Sequence, residues 1–243
     1  MSGDERSAFV STEIKPALTA AEPAVLGLTG LAVAALVLAS VDLGWTSADK
    51  ALLIPWTLMM GAVAQFIAGI MDFKRNNVFG ATAFTTYSLL WFAVSLTLFI
   101  AIFTDAKIDM HQYAFGLIGF LVFSLYLTVT SAMTNKMLFV ALVFIDLSLF
   151  ALVLNIMAGT PALMVGIFLF LVSLSSFYGA AAIILNAESG RILLPLGEAI
   201  WAKRRSTSRV PGPSGPWSQR PRASRDCDLT TIDDDRGVRH ASA

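Results

Sequence analysis

One carboxylate interrupts the apolar run Met137-Leu-Phe-Val-Ala-Leu-Val-Phe-Ile-Asp146-Leu-Ser-Leu-Phe. An acid in the middle of such a run is costly in hydrocarbon and marks a functional position by default. Asp146 could take up and release a proton; it could equally bond to a neighbouring helix or lie at a subunit contact. Two more polar side chains sit in apolar surroundings. Gln65 lies between Gly61 and Gly69, and the four-residue spacing puts all three on one helix face. Tyr87 and Trp91 share a face in the next apolar segment. An amide and a phenol on facing helices suit a pore for a small polar solute. Each also has a plainer role: an interhelical hydrogen bond for Gln65, an interface anchor for Tyr87, packing for Trp91 and a helix cap for Asn155. Ser173 and Ser176 fit either a polar lumen or back-bonding to their own helix.

Other chemistry is not expected. His111 and His240 are the only histidines, and both lie in polar stretches. No set of ligands has metal-site spacing, and no glycine loop would cradle a phosphate. No cofactor, metal or catalytic constellation is expected, and the chain does not read as an enzyme. The single cysteine, Cys227, allows no internal disulfide.

The elements that must position these residues are membrane helices. Of the 243 residues 56% are hydrophobic and 14% charged, whereas soluble domains carry about a quarter charged residues. The mean hydropathy is +0.71. Six apolar segments are expected as helices near 23–41, 51–71, 83–103, 114–131, 137–157 and 162–186, each long enough to cross a core of about 30 Å. The alternation of a membrane β-barrel is absent. The fold class is therefore all-α and integral to a lipid bilayer, a six-helix bundle. A formal net charge of zero indicates no surface for nucleic acid.

Glu22 and Pro23 open the first helix. Proline suits a first turn, and the acid faces the positive end of the helix dipole. Asp72, Lys74 and Arg75, followed by Asn76, Asn77 and Gly80, are expected to form a polar turn at a membrane face. Lys and Arg concentrate on the side holding both termini, and only Lys50 and Lys107 flank the other. Both termini are thus expected in the cytoplasm, with no cleaved signal peptide. Three regions follow: an N-terminal segment 1–22, the bundle 23–198 and a polar tail 199–243, expected to be disordered. Lys203-Arg204-Arg205 reads as a topogenic cluster that could also touch anionic lipid.

Three stretches resemble the acetate uptake transporter family, the succinate–acetate permeases and their fungal relatives. Glu22-Pro23-Ala-Val-Leu26-Gly27-Leu28 is similar to the family's Asn-Pro-Ala-Pro-Leu-Gly-Leu, with Glu22 in place of Asn and Val25 in place of the second Pro. The run from Gln65 to Trp91 is the most specific match. Gly190-Arg-Ile-Leu-Leu-Pro-Leu-Gly-Glu198 is similar to the family's ending after helix six. The resemblance implies six helices, ring-like hexamers with a pore in each protomer, and passage of acetate or succinate by proton symport or through a channel. It also implies an apolar constriction. The family's Tyr falls on Tyr87, its Phe on Leu31, and its Leu at Ile145 or Asp146. A carboxylate pathway past Leu26, Leu28, Leu31, Gln65, Thr86, Tyr87 and Asp146 is the resulting expectation. Protons would couple through Asp146 in an inner-membrane homo-oligomer. Another small solute such as ammonium, or a non-transporting scaffold or sensor, stays open as an alternative.

Overall fold

The computed structural model describes residues 21–201. The expectations for residues 1–20 and for the tail beyond 201 lie outside the described residues. Six helices form: α1 (Ala24–Asp42), α2 (Leu53–Lys74), α3 (Val78–Phe103), α4 (Met110–Ser131), α5 (Lys136–Ala158) and α6 (Ala162–Ser189). All six are long and apolar enough to cross a membrane, and no strand occurs among the described residues.

Side-chain caps set several helix starts. Asn77 accepts from the Gly80 N–H at 3.2 Å and starts α3 at Val78, well before the expected 83. Asp109 accepts from the His111 N–H and Asn135 from the Leu138 N–H, each at 2.9 Å, at the heads of α4 and α5. The α2–α3 turn therefore shrinks to Arg75–Asn77, with Asn76 in the left-handed region at φ 56°. Asp72 and Lys74 are helical. Gly159, at φ 67°, ends α5.

Helix α2 is not regular. Thr57–Ala64 winds as a π-helix, a rare form that often marks functional positions. There the Met60 carbonyl presses against Gly30 of α1, where no Cβ would fit. Further along, Gly69 lies directly on the backbone of Thr85 in α3. Glycines here let backbones meet, as small residues do in membrane interfaces.

The helices pack in the order α3–α2–α1–α6–α5–α4, with α4 returning to α3 through few contacts. The seam between α3 and α4 is thin and largely aromatic. Tyr87 meets Phe120 and Phe123 edge-on at 5.3 and 6.0 Å. After α6, residues 190–201 form a strap across one end. The Leu196 carbonyl accepts the Met137 N–H at 3.0 Å, and the Ala132 carbonyl accepts the N–H groups of Ile200 and Trp201 at 2.8 and 3.1 Å. Asn186 and Tyr178 fasten the strap through the Leu194 and Pro195 carbonyls.

Candidate functional site

Five helices converge on a small apolar cavity of about 50 Å³. Leu31 of α1, Tyr87 and Trp91 of α3, Leu117 of α4, Ile145 of α5 and Val172 of α6 stand on its wall. A water needs about 10–15 Å³ of such space, so the cavity holds only a few waters. It pinches the bundle instead of opening a wide bore. Leu31 and Tyr87, both named in the expected constriction, stand on this wall. Of the two residues open at the third position, Ile145 lines the cavity and Asp146 does not.

Asp146 points elsewhere. It is 9% exposed and faces α4, where Thr128 Oγ1 donates to its Oδ2 at 2.7 Å and Ser124 donates to its Oδ1. Ser124 and Thr128 are four residues apart, so one face of α4 clasps both oxygens. Among the described residues no ion pair involves Asp146. The Ser124 hydroxyl also lies 2.7 Å from the Tyr87 hydroxyl. A continuous chain of hydroxyls thus links the acid of α5 to the phenol at the cavity and bridges the thin α3–α4 seam.

Gln65 is placed differently. It is fully buried, and neither amide atom has a hydrogen-bond partner among the described residues. One turn away on one side, Gly61 packs on Trp91 and Ala34; on the other, Ala68 packs in a cluster with Leu28, Phe84 and Met137. Ser176 of α6 has the same standing: it lies four residues from Val172 at the cavity and four from Ala180 in the Leu28 cluster. Its buried hydroxyl is also without a partner. Two unsatisfied polar side chains therefore lie between the cavity and the Leu28 layer. Buried polar groups are normally bonded, so these are open to a small polar occupant.

The remaining expected positions divide. Leu28 is buried beside the cavity layer, but Leu26 is 43% exposed on the outside of α1 and does not approach the cavity. Thr86 is half-buried and off the cavity wall; its neighbour Thr85 packs on Gly69 with its hydroxyl unpartnered. Pro23 caps α1, its carbonyl accepting the Gly27 N–H at 3.1 Å, and Gly27 lies flat under the Phe84 ring. Asn155 bonds the Thr160 carbonyl and closes the α5–α6 turn.

At the Glu22 end of α1, three charges meet. Arg75 Nη2 bonds Glu22 at 2.9 Å, and Arg75 Nη1 lies 3.8 Å from Asp72. The Glu22 carboxylate holds the Arg75 guanidinium even further above neutrality than usual. The expected surface turn is thus partly an interior one. Asp72 is fully buried against Gly80, at the positive end of α3, with Arg75 as its counter-charge. Ser124, Thr128 and Ser148 were not expected at the site. Ser148 lines the cavity; the Ser124-x-x-x-Thr128 spacing was the only sequence signal for the other two.

The GPR1/FUN34/yaaH family model matches residues 9–198. The succinate-acetate/proton symporter SatP of Escherichia coli (strain K12) is 31% identical over 186 residues, covering 74% of this chain and 96% of that protein. Acetate permease A of Emericella nidulans is 24% identical over 213 residues, covering 78% of this chain and 72% of that protein. A solved structure of the bacterial acetate channel SatP superposes with a TM-score of 0.69 at 25% identity, covering 73% of this chain and 99% of that one. With this match over the bundle and the strap, the chain belongs to the GPR1/FUN34/YaaH family.

Proposed function

We propose that this protein carries acetate, or a carboxylate of similar size, across a membrane through the centre of each bundle. The observation that carries the reading is the buried, unpartnered amide of Gln65, one helical turn from Gly61, which packs on the cavity residue Trp91. Its two N–H donors suit a carboxylate, which accepts but does not donate. The Ser176 hydroxyl would add a third donor. Leu31, Tyr87 and Ile145 form the narrow point, and its apolar wall favours a short alkyl group over a hydrated ion. Leu28 borders this route, and Leu26 and Thr86 are set aside. Asp146 serves as the proton-binding group, which makes the movement proton-linked. The protein works as a ring of identical copies in the inner membrane with both termini in the cytoplasm, and no enzymatic step is assigned to it. The names of the relatives support the substrate class.

Labelled acetate uptake into proteoliposomes of the full chain tests this, with and without an inward proton gradient. Accumulation driven by the gradient is expected. Equal equilibration in both cases would make the route passive and remove Asp146 from it. No uptake of any short carboxylate would overturn the substrate class.

A further inference from the structure

A hydroxyl carries one proton, so each member of a hydroxyl chain can donate only once. That constraint fixes a direction between Tyr87, Ser124 and Asp146. When Asp146 is ionised both of its oxygens only accept, and Ser124 gives its proton to Oδ1. The 2.7 Å contact between Ser124 and Tyr87 then needs the phenol as donor. In this state Tyr87 lines the cavity with oxygen lone pairs alone, which repel a carboxylate. When Oδ1 takes a proton the chain can turn round. Asp146 donates to Ser124, Ser124 donates to Tyr87, and the phenol proton is freed for the cavity. Thr128 holds Oδ2 in both states and keeps the acid in place.

We propose that Ser124 relays the protonation state of Asp146 to Tyr87, so that the phenol offers its proton to a carboxylate in the cavity only when Asp146 is protonated. This rests on the carboxylate pathway read above and gives proton linkage without bringing Asp146 into the cavity. Ser124 is a positioning residue here, and Tyr87 is the group that touches the solute. Little else can titrate nearby. Tyr87 is the only titratable side chain of α3, whose residues 78–103 hold no charge. On α4, His111 and Tyr113 lie more than two turns away from Ser124 and Tyr126 is exposed. On α6, residues 162–187 hold no charge, and its Tyr178 is committed to the Pro195 carbonyl. On α5 itself, Lys136 lies at the far end.

The test is equilibrium exchange of labelled acetate at equal pH on both faces, after subtraction of exchange into protein-free liposomes. Wild-type exchange should fall about tenfold as pH rises through the titration of Asp146, the size of one hydrogen bond to a charged group. Ser124→Ala should keep the acid-limit rate across the range, because its phenol is free in both states. Ser124→Thr, which keeps the hydroxyl, should follow the wild type. Should the alanine variant not fold, Ser124→Cys, with its weak donor, takes its place. A wild-type pH profile in the variant lacking the hydroxyl overturns the relay. Infrared spectra of the purified protein decide the matter without transport. The tyrosine C–O band should move together with the Asp146 carboxyl band in the wild type and stay fixed in the alanine variant. Failure of the two bands to move together overturns the relay, whereas intact coupling in a protein that exchanges no carboxylate overturns only the substrate reading.

Discussion

Replacing Gly69 with alanine sets a helix-propensity gain against a steric loss. An alanine Cβ at Gly69 would lie 2.7 Å from the Thr85 nitrogen and 3.1 Å from its Cα, and would also strike the Thr85 hydroxyl. Optimal carbon contacts lie near 3.5–4.0 Å, so α2 and α3 would have to separate by roughly 1 Å. Two of the three obstacles are backbone, which cannot rotate away. Overpacking of this kind costs about 1–3 kcal/mol, and the alanine regains about 0.5–1 kcal/mol of helix propensity. A net loss of about 1 kcal/mol is expected. Gly119 in α4 is the control: nothing lies within 4 Å of its Cβ position, so Gly119→Ala should gain about 0.5–1 kcal/mol. The two variants should differ by about 2 kcal/mol, or roughly 4–8 °C in melting temperature for a chain of this length. Thermal unfolding of each purified variant in detergent would show it. Equal melting temperatures would refute the reasoning, because they would mean that α2 and α3 are not in backbone contact at Gly69.

Gln65→Leu should stabilise the protein by about 1–3 kcal/mol, since it removes an unpaired buried amide, and should reduce acetate uptake; a lower melting temperature would show that Gln65 is bonded in the working state. Arg75→Ala should cost about 3 kcal/mol by stranding the buried Asp72, whereas Glu22→Gln should cost about 0–1 kcal/mol because that pair is partly open to solvent. Thermal unfolding separates them. Ser95→Ala removes its 2.8 Å contact with Thr57, yet Thr57 still bonds the Leu53 carbonyl at 3.0 Å. Its loss should stay near 0.6 kcal/mol, and a drop of several kcal/mol in denaturant unfolding would contradict that fallback.

The count of the helices was legible because hydropathy alone sets it, whereas the start of α3 depended on the Asn77 cap. Other features followed from helical arithmetic. Leu28 and Leu31 are three residues apart and share the inner face, whereas Leu26 lies about 200° from Leu28 and turns outward. Thr86 is likewise about 100° from Tyr87 and cannot stand on the same wall. The burial of Asp72 was not legible, since its counter-charge follows only once Asn77 caps α3 and tightens the turn. The π winding of α2 leaves no mark in composition. Asp146 could be flagged as costly, but its partners lie on another helix. Nothing within residues 137–158 indicates that α4 presents two hydroxyls at the matching height.

The pairing of α1 with α6 bears on how the molecule is assembled. Among the described residues, the first helix of the chain has the last as its most extensive partner, and the strap that closes the bundle reaches Trp201. During synthesis the face of α1 that carries Leu28, which lies against Gly179 of α6, must wait for a helix more than a hundred residues downstream. Residues 24–41 carry no charge, so α1 can rest alone in lipid, where an apolar helix meets no penalty for an empty face. Among the described residues, the ring of helices therefore closes only once α6 has entered the membrane beside α1.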